Sequence, residues 1–282
     1  MACAWVPLRG LHFIGRLAGR ALYWLPNRAR SVARTNIELC LPTLNPQARD
    51  RLLRLSLQES CKTLLEFGPF WRWETKRLLA LVRETDGFDA LQQAFGTGQG
   101  VLIVTPHLGA WEMCGVYGGA HFPLNSLYRV PRLKGVEDWQ RAGRERSGSK
   151  LFRTDRSGIR SLMHALGNGE MVGILPDQVP PRDAGIYVPF FNRPAYTMTL
   201  FTSLAQKFNP PAFIAYMKRL PRAEGYKMII KRLPKEVGGK DTQLAATILN
   251  QAIEDLVREC PEQYLWVYRR FKRAPPGTPE VY

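Results

Sequence analysis

Histidine and paired cysteine are scarce in this sequence of 282 residues. It has four histidines and five cysteines, and no two cysteines have the C-x-x-C spacing of a zinc or redox pair. Their odd number favours buried free thiols in a reducing compartment. The sequence therefore argues against a structural zinc site and against a disulfide-stabilised secreted domain.

A long uninterrupted apolar run is also missing. The N-terminal segment WVPLRGLHFIGRLAGRALYWLP (5–26) looks apolar, but Arg9, Arg16 and Arg20 interrupt it. A membrane-spanning helix needs about 20 mostly apolar residues, and a signal peptide needs a small-residue cleavage site after a clean apolar core. The pattern predicts that residues 1–26 form an amphipathic helix in the membrane interface, with its arginines at the lipid head groups. The alternative is an ordinary first helix packed on the core.

Acidic residues are in short supply. The chain has 40 Lys and Arg against 24 Asp and Glu, a formal charge of +16. This excess indicates an anionic partner, either nucleic acid, anionic lipid or an acidic protein. A basic nucleic-acid-binding protein is disfavoured, because the sequence has no recognition-helix, zinc-finger or aromatic RNP pattern. Its charge would still bind polyanions without specificity.

The sequence also lacks nucleotide and hydrolase motifs. GTGQG (96–100) precedes an apolar run, whereas a dinucleotide fingerprint follows a strand and opens a helix. No G-x-x-x-x-G-K-[ST] or G-x-S-x-G is present. These absences exclude a phosphate loop and a nucleophile elbow.

Strands and helices alternate along most of the chain. Residues 27–82 are predicted to be mainly helical, and residues 83–282 are predicted to form an α/β core in the same single domain. The predicted strands include VLIV (101–104), LNSLYR, MVGILP, AFIAYM and YKMIIKRL. Only a few residues separate AFIAYM from YKMIIKRL, which suggests that these two strands form an antiparallel addition to the sheet. The pattern predicts an α/β fold with a layered sheet.

One segment carries candidate chemistry, TPHLGAWEMCG (105–115), which follows the apolar run VLIV. His107 and Glu112 are five residues apart and do not share a face of a straight helix. A bend at Pro106 and Gly109 would place His107 in a turn and Glu112 in the first turn of the next helix. Glu112 would then orient the imidazole, and His107 would act as a general base. The alternative is a capping histidine with a surface glutamate.

Five segments, in order, resemble one enzyme family. TPHLGAWE is similar to the H-x-x-x-x-D/E block of the lysophospholipid acyltransferase superfamily. The whole set resembles the lipid A late (secondary) acyltransferases, the lauroyl and myristoyl transferases of Gram-negative bacteria. The other four segments are RSVARTNIELCLP, YRVPRLKGVEDWQRAGRERSG, GEMVGILPDQVPPRDAGIYVPFFNRPAYT and EQYLWVYRRFKRAPPG.

The resemblance implies a fold and a reaction. The fold is a glycerolphosphate-acyltransferase-like mixed sheet flanked by helices, with an N-terminal membrane-associated region. The reaction moves a fatty acyl chain from acyl carrier protein to a hydroxyl of a lipid A precursor, at the cytoplasmic face of the inner membrane, without metal or cofactor. Coenzyme A as donor, and another glycolipid or a lysophospholipid as acceptor, remain alternatives.

The resemblance also implies site residues. His107 and Glu112 correspond to the catalytic pair, and Arg144 and Asp177 to substrate-binding positions. Arg129 corresponds to the arginine of a Y-R-P block, although Val130 separates it from the proline here. Two interpretations of Arg144 and Asp177 stay open: contacts with substrate, or an ion pair between the two.

A basic segment surrounds these positions. Residues 129–160 contain ten Lys or Arg and four Asp or Glu. Arginine forks suit the phosphates of an acceptor, and a basic face suits the acidic acyl carrier protein. A solvated surface is the alternative for most of these residues. Cys114 is predicted to be a core residue, not a nucleophile.

Overall fold

The computed structural model describes residues 2–130, 135 and 137–282. Of the predicted helical stretch 134–147, residues 134 and 136 lie outside the described residues, as do residues 131–134 of the second family-like segment. The α-helices of the described residues are α1 (Leu8–Trp24), α2 (Arg28–Cys40), α3 (Pro46–Arg72), α4 (Thr75–Leu79), α5 (Phe88–Phe95), α6 (Trp111–His121), α7 (Glu137–Glu145), α8 (Arg156–Gly167), α9 (Leu200–Phe208) and α10 (Thr242–Glu259).

The strands form one mixed sheet and one hairpin. The seven-stranded sheet has the order β1-β9-β8-β2-β5-β3-β4, and only the β8–β9 pair is antiparallel. Strands β6 and β7 form a separate antiparallel pair. The strands are β1 (Val82–Asp86), β2 (Val101–Val104), β3 (Leu124–Tyr128), β4 (Lys150–Arg153), β5 (Met171–Ile174), β6 (Gly185–Phe190), β7 (Arg193–Met198), β8 (Ala212–Arg219) and β9 (Tyr226–Arg232).

Helices cover both faces of the sheet. All four residues of β2 are buried, with Leu102 and Val104 in one hydrophobic cluster and Val101 and Ile103 in the other. Successive side chains of a strand point to opposite faces, so a continuous apolar run is what a strand with two covered faces requires. The predicted mixed α/β sheet flanked by helices is confirmed, including the antiparallel addition of β9.

The N-terminal helix packs along α3. Gly15 and Gly19 of α1 let the two backbones approach closely, since an added Cβ on Gly19 would lie 2.3 Å from the Cα of Gln58. The predicted helix is present as α1, and its buried residues fall on one face. Its contact with a membrane stays a prediction. Among the residues that the structure describes, no helix is both long and apolar enough to span a bilayer.

Strands β1 and β7 lack the sequence patterns by which strands are usually predicted. Strand β1 has the sequence VRETD, and its exposed edge position gives it no apolar alternation. Strand β7 contains Pro194 and follows a two-residue turn in which Phe191 and Asn192 both have positive φ, 50° and 59°. Such turns usually contain Asn-Gly, so the hairpin has no conventional turn signal.

Candidate active site

Two neighbouring parallel strands bring His107 and Asp177 together. In the register of β2 and β5, Val104 lies opposite Ile174. His107 and Asp177 each follow three residues beyond this pair. Because the carboxyl ends of parallel strands meet at one edge of the sheet, the two side chains converge there, where ligands bind in open α/β sheets.

His107 and Asp177 make two hydrogen bonds. The Nδ1 atom of His107 lies 2.7 Å from Oδ1 of Asp177, and the backbone N–H of His107 donates to Oδ2 over 2.9 Å. The carboxylate is 2% exposed, and the imidazole side chain is 14% exposed. Burial by itself raises the pKa of Asp177, but its interactions with His107 and the charge of Arg270 outweigh burial and lower the pKa.

These contacts select one tautomer of the imidazole. An ionised carboxylate only accepts hydrogen bonds, so Nδ1 of His107 must carry the proton that it shares with Asp177. In the neutral ring, Nε2 then has a free lone pair. The side-chain amide of Gln178 lies 3.0 Å from Nε2. The arrangement therefore presents Nε2 as a proton acceptor at the sheet edge.

The turn that carries His107 is held by backbone contacts. The Gly109 N–H donates to the carbonyl of Gln263 over 3.0 Å, and the Ala110 N–H donates to that of Met217 over 2.8 Å. Gly109 has φ +62°, and a Cβ there would lie 2.1 Å from the Met217 oxygen. Only glycine fits this close approach without strain. The predicted bend between His107 and Glu112 is present.

The predicted partner of His107 is wrong, because Glu112 does not hold the imidazole. Glu112 is buried, accepts from Nε of Arg144 over 2.8 Å and from the indole N–H of Trp71 over 3.0 Å, and also pairs with the Nη2 atom of Arg144. Burial by itself raises the pKa of Glu112, but Arg144 and Trp71 outweigh burial and lower the pKa. The bend is present but does not bring Glu112 to the imidazole, because Asp177 already accepts the hydrogen bond of Nδ1.

The proposed ion pair between Arg144 and Asp177 is also wrong. Arg144 of α7 pairs with Glu112 of α6, and Asp177 pairs with His107. Helix α7 reaches this position because Gly143 packs against Trp71, where a Cβ would lie 2.6 Å from the Cα of Trp71. The guanidinium of Arg144 is therefore the partner of Glu112, and the imidazole of His107 is the partner of Asp177.

A series of aromatic rings that the sequence patterns did not identify begins beside the imidazole. The ring of Trp111 lies 5.0 Å from that of His107 and 6.1 Å from that of Phe67, between centroids. Phe67 in turn stacks on Trp71 at 5.1 Å. Phe67 and Trp71 are four residues apart on α3 and so share one face of the helix. Local sequence patterns give no sign that this face packs against residues 105–115. These rings make one side of the site apolar.

Basic residues lie along the same sheet edge. Arg129 follows β3 and is exposed, and no contact of its side chain with His107 is seen. A cleft of about 240 Å³ opens beyond β3 and β4 and is lined by Tyr128, Arg141, Leu151, Phe152, Arg153, Asp155, Ser157, Gly158 and Ser161. Arg141 and Arg153 are half exposed or more, and each pairs with a glutamate, Glu145 and Glu137 respectively.

The remaining candidate groups are inert. Cys114 is buried next to Glu112, and burial raises the pKa of its thiol to about 12, so no thiolate is available there at neutral pH. Among residues 2–130, 135 and 137–282, no group of three or more His, Cys, Asp and Glu side chains is arranged to hold a metal ion.

The chain is similar to known acyltransferases over almost its whole length. It is 31% identical to the lipid A biosynthesis palmitoleoyltransferase of Escherichia coli (strain K12), covering 99% of this chain and 90% of that relative. It is 29% identical to the lipid A biosynthesis lauroyltransferase of the same organism, covering 95% and 86%. A lipid A biosynthesis acyltransferase of Haemophilus influenzae is 27% identical, covering 90% and 81%.

A family model leads to the same assignment. The model described as bacterial lipid A biosynthesis acyltransferase matches residues 1–273. The match includes β2, β5 and both segments that carry His107 and Asp177. The resemblance inferred from the sequence is thus confirmed, and this chain is an acyltransferase that belongs to the bacterial lipid A biosynthesis acyltransferase family.

Proposed function

We propose that this acyltransferase moves a fatty acyl chain from the thioester of acyl carrier protein to a hydroxyl group of a lipid A precursor, with His107 as general base. The observation that carries the proposal is the hydrogen bond between Nδ1 of His107 and Asp177, which leaves Nε2 unprotonated, with a lone pair that faces the Gln178 amide. Family membership supplies lipid A biosynthesis as the context.

The proposed step is a direct transfer. The acceptor hydroxyl replaces the Gln178 amide at Nε2 of His107 and gives its proton to that atom as its oxygen attacks the thioester carbon. The carbon–sulfur bond then breaks, and the imidazolium returns the proton to the leaving thiolate. Asp177 stabilises the positive ring through the Nδ1 bond, as the acid of a triad does. No side chain of the enzyme carries the acyl group.

Glu112 and Arg144 are proposed to support this centre. Together with Trp71 they connect α6, α7 and α3 around the imidazole. The side chain of Arg144 is 26% exposed, and its Nη1 atom makes no hydrogen bond within the described part of the chain. That atom is available for an anionic group of the donor or of the acceptor.

The basic residues at the sheet edge are proposed to bind anionic parts of the substrates. Three arginines lie near β3 and β4: Arg129, Arg141 and Arg153. In the sheet, β3 is two strands from β2 and β4 is three strands from it. Arginine suits phosphate because its fork donates two parallel hydrogen bonds. The same surface, with its positive charge, suits the acidic carrier protein, which brings the thioester to His107.

Membrane attachment through residues 5–25 is proposed from exposed apolar side chains. Most of the exposed large apolar residues in the described chain lie in this segment: Trp5 (79% exposed), Phe13 (53%), Ile14 (45%), Leu17 (47%), Trp24 (77%) and Leu25 (58%). Arg9, Arg16 and Arg20 are exposed in the same segment. Apolar contact together with arginines favours an anionic membrane surface, and the proposed location is the cytoplasmic face of the inner membrane.

Two measurements test the proposed function. Lipid A from a strain that lacks this gene should lose one secondary acyl chain in mass spectra, and the wild-type gene should restore it while a His107→Ala gene should not. Purified enzyme should transfer acyl groups from acyl carrier protein to the precursor, and His107→Ala should lower turnover about 100-fold or more while the protein stays folded. An unchanged lipid A profile in the deletion strain, or near wild-type turnover by His107→Ala, would contradict the proposal.

A further inference from the structure

Helix α3 has one face that is buried at both ends and open in the middle. Leu57, Leu64 and Trp71 are seven residues apart, so they lie on one face of the helix. Leu57 is 0% exposed and Trp71 is 5% exposed, but Leu64 between them is 67% exposed. With a rise of 1.5 Å per residue, the face from Leu57 to Trp71 is roughly 20 Å long. Leu64 is therefore an exposed leucine between two buried residues of the same face, and these two belong to different hydrophobic clusters.

Aromatic rings connect this exposed position with the proposed base. Phe67 follows Leu64 by three residues on α3 and is only partly buried. Its ring lies 6.1 Å from that of Trp111, and the ring of Trp111 lies 5.0 Å from that of His107. Leu64 and Phe67 lie one helical turn apart, and from Phe67 the rings of Trp111 and His107 follow in sequence. The face also lies away from α1, because α1 packs against α3 near Gln58 and Lys62 instead.

We infer that the open face of α3, formed by Leu64 and Phe67 and continued by Trp111, binds the fatty acyl chain of the thioester donor. The inference rests on the proposed function, which requires the thioester carbon beside Nε2 of His107. From that point the hydrocarbon must leave along an apolar surface, and the ring of Trp111 provides one beside the imidazole. The acyl chain buries the exposed leucine, and each methylene removed from water stabilises the complex.

The assignment makes Leu64 a determinant of acyl chain length. A short chain ends near Trp111 and Phe67, whereas a longer chain reaches Leu64. Removing the leucine side chain therefore weakens the binding of long chains and leaves short chains unaffected. A larger side chain at this position also disfavours long acyl chains, but for a different reason, because it fills the space that the end of a long chain occupies.

The test compares acyl carrier protein thioesters of increasing chain length, with the full-length enzyme and kcat/KM as the measured quantity. We expect Leu64→Ala to lower kcat/KM about three- to tenfold for the longest chain that wild type accepts, and less than twofold for the shortest. Leu64→Trp should shift the preference toward shorter chains. The matched control is Leu244→Ala, because Leu244 of α10 is also exposed (52%) and lies outside this face.

Different failures have different meanings. If wild type transfers no acyl group from any donor, the proposed function is wrong. If wild type is active and Leu64→Ala keeps the wild-type ratio between chain lengths, the acyl-chain site is wrong, whether all rates fall together or none changes. A uniform fall that is matched by weaker binding to vesicles of anionic phospholipid would assign this face to membrane contact instead. A photoactivatable acyl donor provides a second measurement, and its crosslinks should map to the peptide that contains Leu64 and Phe67.

Discussion

The imidazole of His107 is hydrogen-bonded at Nδ1 to Asp177, over 2.7 Å, and the two residues are 70 positions apart in the chain. This bond fixes the ring orientation and places the proton on Nδ1. In the proposed mechanism a base needs its lone pair directed at the substrate, so this pairing assigns Nε2 of His107 as the acting nitrogen. The residue proposed to orient the base is therefore Asp177 and not Glu112.

Replacement of Asp177 by asparagine should reduce activity without changing the product. An amide at this position can donate to Nδ1, which would move the ring proton to Nε2 and remove the free lone pair. We expect Asp177→Asn to lower kcat by about 10²–10⁴-fold. Steady-state rates with acyl carrier protein thioesters measure the effect. Asp183→Asn, an exposed residue on the same loop, is the matched control, and a fall of less than tenfold in Asp177→Asn would argue against the assigned role.

Glu112 and Arg144 should behave as a partly buried ion pair. Glu112→Gln removes the negative charge beside Arg144, and breaking such a pair costs about 2–4 kcal/mol, toward the low end here because a quarter of the Arg144 side chain is exposed. Thermal unfolding measures the change. Arg144→Ala should lower the melting temperature as well.

The double variant of this pair distinguishes two roles. If Glu112 and Arg144 stabilise one another, changing both to leucine should restore part of the stability lost in the single variants, by coupling of neighbouring sites. If Arg144→Ala instead loses activity at an unchanged melting temperature, Arg144 contacts substrate and the pair contributes little to the fold. Combining Arg144→Ala with a change at Asp177 should bring no recovery, since these two residues do not pair.

Part of this site could be predicted from local patterns. The sequence predicts the strands VLIV and MVGILP, and His107 and Asp177 follow these two segments. The pairing of the two residues was not predicted, because it depends on β2 and β5 being neighbours in the sheet, and strand order leaves no periodic signal in a sequence. With the register of Val104 and Ile174 known, the equal distance of three residues beyond each strand would have identified the pair.

The incorrect role of Glu112 has a similar cause. Its closeness to His107 in the sequence suggested contact, and the predicted bend was correct. However, Trp71 and Arg144, which come from α3 and α7, bind the carboxylate and direct it away from Nδ1. Both contacts depend on tertiary packing, in particular on the approach of Gly143 to Trp71. Short-range spacing contains no information about either helix.

Residues of α1 should control membrane binding. Phe13, Ile14 and Leu17 are each about half exposed, and burying such a side chain in lipid contributes on the order of 1 kcal/mol. Changing all three to serine should therefore weaken binding to anionic vesicles at least tenfold in a sedimentation assay, and binding should also weaken as salt rises. Leu244→Ser is the control for an exposed leucine elsewhere. Full-length wild type that ignores anionic vesicles would overturn this prediction.

A buried charged cluster connects α1 with the sheet. Glu66 of α3 is 0% exposed, and His12 of α1 lies 2.7 Å from its Oε1 atom. Arg219 of β8 donates to both carboxylate oxygens, over distances of 2.6–3.0 Å, and Tyr226 of β9 donates over 2.9 Å. Burial by itself raises the pKa of Glu66, but Arg219 and His12 outweigh burial and lower the pKa to about 2.

This low pKa predicts how the stability that depends on Glu66 changes with pH. A glutamate in the unfolded chain titrates near pH 4.5, so below that pH the unfolded state takes up a proton that the folded state still lacks. The contribution of Glu66 is therefore complete above about pH 4.5 and is lost as the pH falls toward about 2, by up to about 3 kcal/mol. Denaturant unfolding of wild type and Glu66→Gln from pH 7 to pH 3 should give free energies that differ most at neutral pH and converge in acid. Glu84→Gln, a surface change on β1, should follow wild type throughout, and parallel curves for wild type and Glu66→Gln would show that the carboxylate is not held ionised by Arg219 and His12.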